Sequence, residues 1–525
     1  MKSITEQHLW VTTFLLLIAG LLLNLGLQPL YLEEPRRAFI TLEMLENQNW
    51  IVPTLWGLPY YNKPPFFNWV LIASTKLFGN FSEWALRLPS VLSTLAVAAL
   101  IYRFMKAEFN HRLGVYSALL WVCSLGILFN FSMLAEIDLF FSLLVFGAIM
   151  AIYHFHQKEQ LWLLFPVVYI LLGIAFLSKG IPAVIFAGLS LLAFFIWKKQ
   201  FWKLFHLAHF LGLFLFFSIV GGYYYAYSLY ADPTAFLLNI WSESSDRAAW
   251  SESIWTLILH LISFPFQFLK ELAPALLLLP FLIQKQIWKR IKQNDFLTFS
   301  LLMMAVNLLP YWLSPGTRMR YLYMLLPFAI FLFVALWDQL APLAKQWQIK
   351  TSHSLMGLLV YLLPIGMLAL PFIPDLSVLN YLIPLSIMAF LVLAAAAYVF
   401  YKRPALRLAV LLFSLAIGRL VFDVTVLPQR AINSGAQSNK ALAAAIYEEV
   451  GDAPITIVND EKILSYTTTY YFNQLRGKVL RARYNPSFEA GQYYLLCADQ
   501  APEGAQVKLT YPYEGSEQAL IYIME

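Results

Sequence analysis

The chain has 525 residues and a net charge of +6, yet 60% of it is hydrophobic and only 13% charged, with a mean hydropathy of +0.65. Such a composition has too little polar surface for a water-soluble globule and describes a multi-pass membrane protein. The excess positive charge does not make a nucleic-acid surface either, because the basic residues fall in short clusters between apolar runs and form no continuous stripe.

A helix needs about 20 apolar residues to cross the hydrocarbon core, and helices satisfy their own backbone hydrogen bonds there. The hydropathy pattern predicts thirteen spans, near 9–30, 86–105, 113–133, 137–155, 161–178, 180–197, 204–228, 268–284, 295–313, 320–337, 354–373, 377–400 and 406–426. Pro265, Lys270, Glu271 and Pro274 interrupt the eighth. It reads as an interfacial helix from Trp255 to Phe268 leading into a short span. Basic residues recur in alternate connections: Arg103, Lys106 and Arg112; Lys158; Lys198, Lys199 and Lys203; Lys285, Lys289, Arg290 and Lys292; Lys345 and Lys350; Lys402, Arg403 and Arg407. The positive-inside rule makes these cytoplasmic, with the N-terminus inside and the C-terminus outside. The first apolar run is long, and Gln28-Pro29-Leu30-Tyr31 offers no small-residue cleavage site, so it is expected to stay as a helix.

Two external regions follow from this topology. Residues 31–85 contain an amphipathic stretch from Pro35 to Glu46, expected to lie along the membrane surface, followed by a Pro- and aromatic-rich segment. From about 428 the hydrophobicity drops. Ile455–Val458, Tyr493–Leu496 and Leu520–Ile523 read as short strands and Lys440–Val450 as a helix. The expected fold is therefore an all-α polytopic bundle over 1–427, including the loop 31–85, with a small external α/β domain over 428–525. Cys123 lies in a span and Cys497 in the tail, which implies no disulfide framework.

The charged residues suited to chemistry gather on the external side. Leu32-Glu33-Glu34-Pro35-Arg36-Arg37 places carboxylates beside arginines just outside the first span. Such a run can hold an anionic headgroup, position a metal or supply a base; it equally suits a solvated helix start, with acids and a proline in the first turn. Tyr60-Tyr61-Asn62-Lys63-Pro64-Pro65 fixes a lysine on a stiff aromatic loop. Contact with a phosphate or sugar is one reading, and snorkelling to lipid headgroups is the other. Glu136 and Asp138 stand at the outer ends of adjacent spans, where a charge near hydrocarbon needs a polar cavity. His154, His156, His206 and His209 suit interfacial packing better than metal ligation. The tyrosines between 223 and 230 suit an aromatic belt.

Several motifs occur in one order: the acidic dipeptide after the first span, the Trp50–Pro65 segment of form xWxVPxxxGxxYxxKPP, the aspartate opening the fourth span, and Phe176-Leu177-Ser178-Lys179-Gly180. Together they resemble the bacterial GT-C membrane glycosyltransferases that include the lipid A aminoarabinose transferases and relatives of the protein O-mannosyltransferases. The resemblance runs from about Leu30 to Pro327. It implies catalytic acids at Glu33, Glu34 and Asp138, with Glu33 where the family usually has Asp, and Arg37 in place of the usual tyrosine. It implies donor-phosphate contacts at Arg36, Lys63, Lys179, Arg247 and Arg320, and substrate contacts at Tyr61, Trp241, Glu243 and Tyr321. In the Arg320-Tyr321 segment Met324 replaces the first proline.

The implied reaction is transfer of a sugar from a polyprenyl-monophosphate donor to a lipid A, glycan or protein acceptor. It would take place at the outer face of a bacterial cytoplasmic membrane and invert the anomeric centre. No sugar nucleotide is needed, which suits a chain without a Gly-rich phosphate loop. A divalent cation bridging carboxylate and phosphate fits this chemistry, although no His/Asp cluster demands one. Competing expectations are a polyprenyl-linked sugar carrier and a protein that binds lipid headgroups without turnover. A carrier should show broken helices at mid-membrane or an internal repeat.

Overall fold

The computed structural model describes residues 5–239, 242, 254–459 and 463–524. Among these residues nine helices are long and apolar enough to cross a membrane. Two further segments are bent pairs: His111–Val122 with Leu125–Met133 at 50°, and Ile254–Glu271 with Ala275–Leu282 at 96°. The second bend falls where Pro274 interrupts the apolar run. Helices Glu6–Leu22 and Pro182–Trp197, of 17 and 16 residues, are shorter apolar elements. Each of the thirteen expected segments is thus helical, and the chain is a multi-pass membrane protein.

The chain forms two compact units. The first comprises Met1–Leu25, Ser90–Gly222 and Trp241–Gln429. Its centre is made by Ile137–Gln157 and Met319–Leu343, which are 78% and 83% buried. Leu207–Ser228 is only 22% buried although equally apolar in character. A helix that is apolar all round yet uncovered by protein faces lipid. The core also holds a charge pair. Arg419 and Asp423, one turn apart in helix Arg407–Asn433, are fully buried with Nε 2.9 Å from Oδ1. Arg419 also donates to the carbonyls of Gly20, at 3.1 Å, and Leu128, which ties three segments together. A buried charge is tolerable only with such partners.

The second unit comprises Gly26–Pro89, Tyr223–Ile240 and Arg430–Glu525. Its sheet has the order β4-β3-β5-β7-β6, where β3 is Ile455–Val458, β4 Arg481–Arg483, β5 Tyr493–Cys497, β6 Gln506–Tyr513 and β7 Ser516–Tyr522. β3 pairs in parallel with β4 and β5; β7 pairs antiparallel with β5 and β6. The remaining two strands, β1 (Thr54–Leu55) and β2 (Leu58–Pro59), form a small hairpin. Helix Tyr466–Arg476 binds the segment 26–89 to the C-terminal part of the chain: Tyr471 Oη accepts from Leu30 N at 2.9 Å and donates to Glu83 at 2.7 Å, and the Tyr466 ring stacks on Trp56.

The amphipathic stretch expected to lie on the membrane surface is instead a buried helix, Glu34–Glu46, with nearly every residue from Glu34 to Met44 enclosed by protein. Its charges permit this because they are partnered internally. Glu34 meets Arg87, Arg37 donates to Tyr60 Oη at 3.3 Å, and Glu43 accepts from Thr54. The polar face that reads as water-facing in sequence is a set of internal hydrogen bonds.

Candidate functional site

In the first unit, four charges converge from three segments. Asp138 occupies the first turn of helix Ile137–Gln157, where the positive end of the helix dipole favours a carboxylate. That helix returns through a short turn into Leu161–Lys179, so the last residue of the second helix comes level with the first turn of the one before it. Lys179 there complements the negative end of its own dipole. The helix stops at Gly180, whose φ of 81° and ψ of −144° suit glycine almost alone. Lys179 Nζ is ion-paired with Asp138 Oδ1. Arg320, in the 3-10 turn Met319–Leu325, approaches from a third segment, with Nε 3.5 Å from Asp138 Oδ2 and Nη1 3.5 Å from Glu136 Oε1.

Aromatic rings frame this cluster. Lys179 Nζ lies 4.2 Å from the Tyr321 ring centroid and 5.1 Å from that of Phe141. The Arg320 guanidinium sits 5.9 Å from Phe131, whose ring meets Tyr323 edge-on at 5.3 Å. Tyr323 donates to Glu271 at 3.2 Å. All four charged side chains are at least 88% enclosed, yet Arg320 Nε has no hydrogen-bond acceptor among the described residues. Two cations, two carboxylates and a buried donor with spare capacity form a site suited to an anion that arrives with its own charge.

The second unit holds the remaining described candidates. Glu33 immediately precedes helix Glu34–Glu46 without a side-chain capping hydrogen bond and is ion-paired with Arg36 one turn on, both partly exposed. The Arg36 guanidinium lies 6.0 Å from the Tyr60 ring and 5.8 Å from that of Tyr466. Burial would lower the Arg36 pKa, but Tyr60, Glu33 and Tyr466 outweigh it and keep the group firmly cationic. Lys63 donates to the Asn62 carbonyl at 2.9 Å, Asn62 accepts from Asn239 at 3.3 Å, and the Tyr61 ring packs 6.1 Å from Phe236.

Glu34, expected as a catalytic acid, is fully enclosed, and Arg87 engages both its oxygens at 2.8 and 2.9 Å. Arg87 also donates to the carbonyls of Gln28 and Pro29. This is a clasp on the chain entering the helix, a geometry that leaves no carboxylate oxygen open to a substrate. Trp241, Glu243 and Arg247 lie outside the described residues. Phe131, Tyr323 and Arg87 belong to these networks without having been singled out from sequence, whereas Glu136 is read there as a carboxylate in need of a polar cavity and Glu271 only as an interruption of the eighth span. Among the described residues no group of three or more His, Cys, Asp or Glu side chains could hold a metal ion.

Residues 62–224 match the family described as dolichyl-phosphate-mannose-protein mannosyltransferase. Over 321 residues the chain is 27% identical to the undecaprenyl phosphate-alpha-4-amino-4-deoxy-L-arabinose arabinosyl transferase of Photorhabdus laumondii, a match spanning 60% of this chain and about half, 55%, of that one. Over 550 residues it is 25% identical to a transferase of the same description, number 2, from Pseudomonas fluorescens, covering 98% of this chain and 90% of that one. ArnT from Cupriavidus metallidurans, solved with undecaprenyl phosphate bound, superposes with a TM-score of 0.68 over 97% of both chains at 17% identity. The chain therefore has the fold of that transferase, and it resembles the GT-C glycosyltransferases of the aminoarabinose type, as its motifs suggest.

Proposed function

We propose that this chain is a glycosyltransferase that moves a sugar from a polyprenyl monophosphate, of the undecaprenyl type, to an acceptor at the outer face of the bacterial cytoplasmic membrane. The observation that carries this reading is the convergence of Lys179 and Arg320 on Asp138 in an enclosed, aromatic-framed site. In the resting arrangement each Asp138 oxygen faces a cation. A donor phosphate arriving here draws Lys179 and Arg320 to its own oxygens, and the carboxylate is released. The acceptor oxygen then attacks the anomeric carbon while the bond from that carbon to the phosphate oxygen breaks. The electron pair leaves on the phosphate, where the two cations stabilise the developing charge. A hydroxyl acceptor gives its proton to Asp138; an acceptor phosphate oxygen needs no such transfer. A single displacement of this kind inverts the anomeric centre.

Glu33, Arg36, Lys63 and Tyr61 serve substrate binding in this reading, with Trp241, Glu243 and Arg247 as further contacts, while Glu34 holds the fold. Lipid A is the favoured acceptor because a relative similar over 98% of this chain is named for aminoarabinose transfer. A surface glycan or an exported protein remains the alternative acceptor. The N-terminus is cytoplasmic and the tail periplasmic, since the basic connections alternate.

The test is mass spectrometry of polyprenyl-phosphate sugars and envelope glycolipids in cells with the wild-type chain, without it, and with Asp138→Ala. Accumulated donor and a glycolipid lacking one sugar in both altered strains support the transferase and identify its substrates. Unchanged pools overturn it in favour of a carrier or a binding protein.

A further inference from the structure

Helices Glu6–Leu22, Glu83–Glu108 and His111–Val122 leave between them a cavity of about 560 Å³ in the first unit, lined by no residue of the Asp138 cluster. Its walls are apolar: Trp10, Phe14 and Leu17 on one side, and the small side chains of Ala98, Ala99 and Ala118 on the others. Those alanines are what opens the space. At one end the second and third helices touch. A Cβ on Gly114 would come within 3.0 Å of the Tyr102 ring and carbonyl, and Tyr102 Oη bonds His111 Nδ1 at 3.0 Å.

The lining residues of the first helix run from Gln7 to Ile18. At 1.5 Å per residue they extend about 16 Å, close to the roughly 15 Å of hydrocarbon in one leaflet. An apolar cavity of this kind excludes water, and hydrocarbon surrounds it.

Its polar end carries positive charge. Lys106 continues the Leu95–Tyr102 face of its helix by one turn, with Nζ 5.5 Å from the Tyr102 ring, and Arg103 lies beside it. The carboxylates found here are already engaged: Glu6 by Arg112 at 3.1 Å and by Tyr116, and Asp338 by the same Arg112 at 3.4 Å. Both Arg103 and Lys106 are exposed. From the matched length, the apolar walls and this charge, we infer that the groove is a binding site for an anionic phospholipid of the leaflet on the basic side. One acyl chain lies along Phe14 and Ala99, and the phosphate rests at Lys106 and Arg103. The inference does not depend on the sugar-transfer reading.

The full-length protein, purified in mild detergent and incubated with equal amounts of phosphatidylglycerol and phosphatidylcholine, is examined by native mass spectrometry. One phosphatidylglycerol is retained preferentially by the wild type. Lys106→Gln and Arg103→Gln each reduce the preference about fivefold without lowering the thermal unfolding temperature in lipid-free detergent. Ala99→Phe, which fills the groove, removes retention of both lipids. Equal retention of the two lipids by the wild type, a polyprenyl lipid in place of phosphatidylglycerol, or unchanged retention in Ala99→Phe overturns the proposal.

Discussion

Asp138 in the first unit and Glu34 in the second are both carboxylates removed from solvent and held by basic side chains, but their partners differ in kind. Glu34 has a single bidentate arginine, and that arginine is itself saturated by the Gln28 and Pro29 carbonyls. Asp138 shares a lysine and an arginine that come from two other segments. The arginine reaches it at 3.5 Å, with a buried Nε that no acceptor among the described residues satisfies. The first arrangement is closed and has nothing left to offer a ligand. The second is balanced in charge yet incomplete in hydrogen bonds. In an enclosed site that difference separates a structural pair from one that can exchange a partner.

The comparison breaks most sharply on activity. Asp138→Asn keeps the shape but removes the charge, and transfer is expected to fall by about 10²–10⁴-fold, measured with purified protein and a polyprenyl-linked donor. Lys179→Met should lower it similarly. On the other side, Arg87→Leu leaves Glu34 buried and unpaired, and thermal unfolding of the full chain should show a loss of about 3–5 kcal/mol. Arg87→Leu combined with Glu34→Leu should recover much of it. If Glu34→Gln abolished transfer in a protein of wild-type stability, the structural assignment would fail.

A third acid sharpens the picture through pH. Glu43 is fully enclosed, and burial pushes its pKa up to about 7 despite hydrogen bonds from Thr54, Gly57 and Trp56 and the nearby Arg481. Its ordinary value is 4.5. The stability it contributes when protonated is therefore fully present below 4.5 and is lost as pH rises through about 7. Glu43→Gln should unfold with the wild type at pH 4.5 and be more stable by roughly 1–3 kcal/mol at pH 8. A wild type that gains on the variant with rising pH would contradict this. The smallest effect belongs to the partly exposed Glu33–Arg36 pair: Glu33→Gln should change stability by less than about 1 kcal/mol, so any larger loss of transfer reports on substrate rather than on folding.

The spans were legible because lipid imposes a length and a composition that sequence cannot hide, and even the break near Pro274 announced itself. Strands β3, β5 and β7 were legible as apolar runs. β6 was not, because it is an edge strand with a largely exposed alternating face and Pro512 near its end. Arg87 sits inside an apolar span with no local sign of its partner 53 residues earlier. Phe131 and Tyr323 look like any aromatic residues at a span's end, and only packing puts them beside Arg320. The amphipathic reading of Glu34–Glu46 failed for the same reason: a charged face says that partners exist and is silent on whether they are water or protein.

In the proposed reaction the Asp138 cluster performs the transfer while Glu34 holds the fold. The most direct test compares single-turnover transfer by purified wild-type, Asp138→Asn and Glu34→Gln proteins on undecaprenyl-phosphate-linked sugar, with donor binding measured alongside. Asp138→Asn is expected to bind donor but transfer at least about 100-fold more slowly, whereas Glu34→Gln, wherever it remains folded, transfers within a few-fold of wild type. Wild-type rates in Asp138→Asn would contradict it.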